Sequence, residues 1–108
     1  MKTSTIQFKV ELDDQQIPER ISWDASDKPA DQNSETKAIS LAIWDQDAKN
    51  TLRIDLWSKD MPVHEMKRFY IDCIGGLAQS VLQATGDEKM AGEMNALCER
   101  LVQYVSKS

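Results

Sequence analysis

The chain has 108 residues, 41% hydrophobic and 29% charged, with 18 acidic against 13 basic side chains and a formal charge of -5. That length suits one domain with a core, and the apolar content excludes a disordered chain. The acidic balance disfavours a nucleic-acid binder, and no basic amphipathic helix points to a lipid surface.

Ile6, Phe8, Val10 and Leu12 alternate with Gln7, Lys9 and Glu11, which predicts a strand over about 4–12. The opening residues hold no apolar run of signal-peptide length, and no segment is apolar enough to span a bilayer. The expected location is therefore cytoplasmic. Asp13 to Gln16 reads as a turn, and Pro18 as a strand start or an edge. Ile21 and Trp23 then point inward from a second strand over 19–24. Ala25 to Thr36 contains no large apolar side chain and is expected to be a flexible loop.

The third strand, 37–44, sets Ile39, Leu41 and Ile43 on one face and Ala38, Ser40, Ala42 and Trp44 on the other. After turn chemistry at 45–50, Leu52, Ile54 and Leu56 alternate with Arg53, Asp55 and Trp57. A tight hairpin would place Ile43 opposite Ile54, with both apolar sets on one face.

Pro62 opens a helix whose stripe includes Val63, Met66, Tyr70, Cys73 and Leu77 and which stops near Gly86. The stripe stays in phase across Gly75-Gly76, so the helix is expected to continue through them. Those glycines read either as weak spots costing up to about 1 kcal/mol each or as a close approach of another backbone. Asp87 can cap a second helix carrying Met90, Met94, Leu97, Leu101 and Tyr104 at heptad-like spacing. Cys73 and Cys98 at apolar helical positions read as free buried thiols.

The expected fold is α+β: a four-stranded antiparallel sheet in ββββαα order, with two C-terminal helices packed on one face, in a single domain. The expected core is Ile6, Phe8, Val10, Ile21, Trp23, Ile39, Leu41, Ile43, Leu52, Ile54, Leu56, Met66, Tyr70, Leu77, Met94, Leu97 and Leu101. On that reading Leu97→Ala costs about 2–5 kcal/mol.

No catalytic pattern emerges. His64 is the single histidine and has no partner at ligand spacing. Gly75-Gly76 lacks the Lys-Ser or Lys-Thr of a phosphate loop. Asp45, Asp47 and Asn50 lack the turn Gly and distal Glu of a calcium loop. No serine or thiol sits in a nucleophile context. The chain is expected to be no enzyme, with no cofactor and no metal. The candidate surface is the mixed sheet face bearing Trp44, Trp57, Arg53, Asp55, Ser40 and Ala42. It reads as an interaction surface or as cross-strand packing of the indoles, under a loop or against Arg53 through indole–guanidinium contact.

Thr-Leu-Arg-Ile-Asp-Leu-Trp-Ser-Lys-Asp-Met-Pro-Val at 51–63, Ala-Ile-Trp-Asp at 42–45 and Asp-Glu-Lys-Met at 87–90 resemble the gliding-motility GldC family. Lys-Val-Glu-Leu-Asp at 9–13 and Pro-Glu-Arg-Ile-Ser-Trp at 18–23 are similar too. The resemblance implies an accessory protein of the gliding machinery with a protein partner in the motility apparatus. Attachment to the inner membrane would then be peripheral, through that partner. It carries over no functional residues. A homodimer or higher homo-oligomer through the mixed face is a further expectation. The order of four strands and two helices also resembles the SecB-type export chaperone, in topology alone. That supplies a second reading, a chaperone-like module for unfolded or export-bound segments.

Overall fold

The alternation along Ile6–Leu12 makes β1, which pairs antiparallel with β2, Pro18–Ala25. The computed structural model describes residues 2–29, 31 and 33–107. Between the two strands Asp13 does the work of the turn. Its carboxylate accepts the Gln15 and Ile17 amides at 2.8 and 3.0 Å, and Gln16 takes φ 65°.

β3, Glu35–Thr36, lies inside the segment expected to be loop and pairs with Ile21 and Ser22 of β2. The Trp23 amide donates to the Ser34 carbonyl at 2.8 Å. Lys28 folds back over Trp23, its Nζ 5.0 Å from the ring centre and 2.7 Å from Ser34 Oγ. Ala30 and Gln32, also in the expected loop, lie outside the described residues.

β4, Ala38–Asp45, and β5, Asn50–Trp57, form a separate two-stranded ribbon. The expected single four-stranded sheet is therefore not formed. β3 occupies the edge of β2 that β4 would have needed. At the break, the Thr36 hydroxyl donates to the Ala38 carbonyl at 3.0 Å, turning the chain out of the first sheet. All four expected strands are present, but they are divided between two sheets. The ribbon register pairs Ile43 with Leu52 and Leu41 with Ile54, two residues from the expected pairing. Because the shift is even, both apolar sets keep a common face. A four-residue turn causes it: the Lys49 amide closes on the Asp45 carbonyl at 2.9 Å with Lys49 at φ 58°.

The helices behave as their sequence directs. α1, Val63–Thr85, runs unbroken through Gly75 and Gly76 and ends on Gly86 in the left-handed region at φ 72°. α2, Glu88–Ser106, is capped by Asp87, whose side chain accepts the Met90 amide at 2.9 Å. The two pair through small residues: Ala78 and Ala91 are 1% and 4% exposed, and a Cβ on Gly75 would lie 3.9 Å from Cys98 Sγ. That is ordinary contact, so no close backbone approach requires glycine there. Cys73 and Cys98 are half-buried.

The described residues divide into two compact units, one up to Met61 and one from Pro62 onward. Within the first, Ile21 is the buried apolar residue, with Ser58 beside it in burial. The expected core is corrected at seven positions: Ile6, Phe8, Ile43, Leu52, Ile54, Leu77 and Leu97 are exposed. For Ile43, Leu52 and Ile54 the reason is that a two-stranded ribbon has too few neighbours to cover an apolar face.

Candidate interaction surface

Ser40, Arg53 and Asp55 come together at the middle of the outer ribbon face. Ser40 stands opposite Asp55 in the ladder, and Arg53 precedes Asp55 by two residues on the same face. The Ser40 hydroxyl donates to Asp55 Oδ1 at 2.7 Å. Arg53 grips the same carboxylate through Nε at 3.1 Å and through its terminal nitrogen at 2.9 Å, and also donates to Ser40 Oγ at 2.6 Å. Hydrogen bonds from Arg53 first, and from Ser40 second, hold the Asp55 carboxyl below the usual carboxylate range. A carboxylate stabilised in that way is a poor base for the serine. The cluster is suited to fixing strand register.

The tryptophans are on this face but not together. Trp44 faces Thr51 at the turn end of the ribbon, and Trp57 faces Ala38 at the other end. Six residues at about 3.4 Å each separate them by roughly 20 Å. Trp44 is 61% and Trp57 47% exposed. Ala42 stands across from Arg53 in the ladder and is exposed. The face thus has two aromatic ends and a polar middle, rather than one aromatic patch.

Its reverse is aliphatic. Ile39 and Leu56 are half-buried, while Ile43, Leu52 and Ile54 toward the turn are exposed. Neither outer edge of the ribbon carries a third strand among the described residues. Strand edges with free amides and carbonyls, flanked by exposed apolar side chains, are where another strand can add.

Sequence reasoning missed a groove in the helical unit. Val63, His64, Lys67, Arg68, Ile71, Asp72, Val102 and Val105 line an open depression of about 690 Å³. Arg68 Nε lies 3.9 Å from the Asp72 carboxylate on its rim. The signal was available in His64, Lys67 and Arg68, which recur at helical spacing beside the exposed Val63. Among the described residues no group of three or more His, Cys, Asp or Glu is placed to hold a metal ion. No helix of these residues is long and apolar enough to cross a membrane.

The sequence model of the family described as gliding motility-associated protein GldC-like matches residues 18–107. The chain belongs to the GldC-like family. The match contains the whole β4–β5 ribbon and both helices, and it leaves β1 outside. Membership associates this GldC-like protein with gliding motility. No curated protein and no solved structure matches the chain.

Proposed function

We propose that this GldC-like protein is a non-enzymatic accessory component of the gliding machinery that works by docking a protein of the motility apparatus on its β4–β5 ribbon. One observation carries the reading. The ribbon exposes large apolar side chains on both faces, Trp44 and Trp57 on one and Ile43, Leu52 and Ile54 on the other, beside open strand edges. Exposed apolar area of this kind on a protein without its partner marks a surface that is covered in the assembly.

A second reading draws on the same open edges. A chaperone-like module would hold extended segments by strand addition, through backbone hydrogen bonds that need little sequence specificity. Cross-linked affinity capture from a gliding bacterium separates the two. One partner in fixed ratio, lost on replacing Trp44 and Trp57 by Ala, supports the docking role. Many substoichiometric clients, competed by an unfolded protein, support the chaperone.

A further inference from the structure

α2 carries a second uncovered surface, separate from the ribbon. Met90, Met94, Leu97, Leu101 and Tyr104 follow one another at spacings of four, three, four and three. That alternation is the seam of a two-stranded coiled coil, in which each side chain sits among four of the facing helix. α1 fills it only in part: Met94 and Leu101 are half-buried. α1 packs on the neighbouring stripe of α2, where Ala91 is buried and Cys98 Sγ donates to the Ile71 carbonyl at 3.7 Å. Met90, Leu97 and Tyr104 remain 51%, 39% and 69% exposed.

The charges beside the seam say what covers it. Glu93 and Arg100 precede Met94 and Leu101 by one residue each, on the flank away from α1. Both are exposed, and neither is in an ion pair among the described residues. Seven residues apart on one helix, they are separated by about 10.5 Å along the axis and cannot pair with each other. An antiparallel second copy resolves this. With Leu97 set against Met94 of the second copy, Met90 faces Leu101, and each Glu93 comes beside the Arg100 of the other chain. The contacts repeat by two-fold symmetry, as a self-complementary patch requires. A parallel pair would bring Glu93 beside the flank of Cys98 and would form no ion pair.

We propose that α2 is a self-association helix that pairs antiparallel with α2 of a second copy of this chain, in register around Met94 and Leu97 and oriented by Glu93 and Arg100. The pairing does not depend on what the β4–β5 ribbon binds.

Sedimentation equilibrium of the full chain, with a charge swap, tests it. The wild type is expected to dimerise. Glu93→Arg sets Arg against Arg100 of the second copy, and Arg100→Glu sets Glu against Glu93. Each single variant should weaken the dimer about tenfold or more, as like charges do across an interface. The combined variant should recover association to within about threefold of the wild type, since opposite charges again meet. Rescue cannot arise within one chain, because the two positions are too far apart along their helix. Both substitutions are at exposed helical positions, and circular dichroism checks that helix content is kept in all three variants. A monomeric wild type, single variants that associate normally, or a combined variant as weak as the singles would each overturn the proposal.

Discussion

Lys59 Nζ lies 3.0 Å from Asp13 Oδ2, tying the turn after β1 to the segment after β5 across 46 positions of sequence. The carboxylate also accepts two amides of its own turn, so one side chain both shapes the turn and anchors a distant segment. The Lys59 amide donates to the Pro18 carbonyl at 3.0 Å, so the two sheets of this unit are joined at the same place.

This junction predicts a pH response. The Ile17 amide first, and Lys59 next, hold the Asp13 carboxyl below its ordinary value, while Asp13 raises the Lys59 ammonium above its own. A depressed carboxylate contributes above its unfolded pKa of about 3.9 and loses that contribution as pH falls through the folded value. A raised ammonium contributes below about 10.4 and loses it as pH rises through the folded value. The pair therefore supports the fold between those limits. Asp13→Asn should lower the melting temperature at neutral pH and reduce the further drop on acidification. Melts at pH 7 and pH 3 check this; an unchanged acid drop would place the linkage at other carboxylates.

Glycine substitutions should act in opposite directions on α1. Gly76 is helical, and an added Cβ meets nothing within 4 Å, so Gly76→Ala should stabilise by about 0.5–1 kcal/mol. Gly86 is the left-handed stop at φ 72°, where Ala should cost about 1 kcal/mol or more. Urea midpoints measure both. A destabilising Gly76→Ala would mean that some other chain packs on that glycine.

A third contrast lies between the helices. Ala78 is 1% exposed at the contact with α2, so Ala78→Leu should cost about 1–3 kcal/mol through overpacking. Leu97 is 39% exposed, so Leu97→Ala should cost less than about 1 kcal/mol in dilute solution, well short of a core cavity. Denaturant melts at low protein concentration, where association does not contribute, order the two. The reverse order would move the helix seam to Leu97.

Local chemistry made most of these elements legible. Alternation marked β1, β2, β4 and β5 within a residue or two, and Asp87 and Gly86 bounded the helices. The division into two sheets was hidden because it depends on β3, two residues without apolar signal that claim the edge of β2. Parity assigned Ile43, Leu52 and Ile54 to one face but could not say whether anything covers that face. The candidate site was partly visible: Ser40, Arg53 and Asp55 do converge. The separation of Trp44 from Trp57 follows from the hairpin register, which the turn sets. Leu97 reads as core from its spacing, because a heptad seam and a buried stripe look the same in one sequence.

Trp44 and Trp57 should act as two independent anchors for a partner. They are on one face but roughly 20 Å apart, with the Ser40–Arg53–Asp55 cluster between them. At that distance two substitutions share no neighbours, and their effects should add. Each indole is well exposed, so Trp44→Ala or Trp57→Ala should leave stability within about 0.5 kcal/mol of the wild type. For a docked partner each truncation should cost about 2 kcal/mol, close to thirtyfold in affinity, as buried interfacial tryptophans do. Titration of the cross-linked partner against the two single variants and the double variant measures this. An additive loss makes both ends of the ribbon part of the interface. Loss from one variant alone confines the partner to that end. Wild-type affinity in the folded double variant would exclude the outer face and leave the aliphatic face of Ile43, Leu52 and Ile54 as the docking surface.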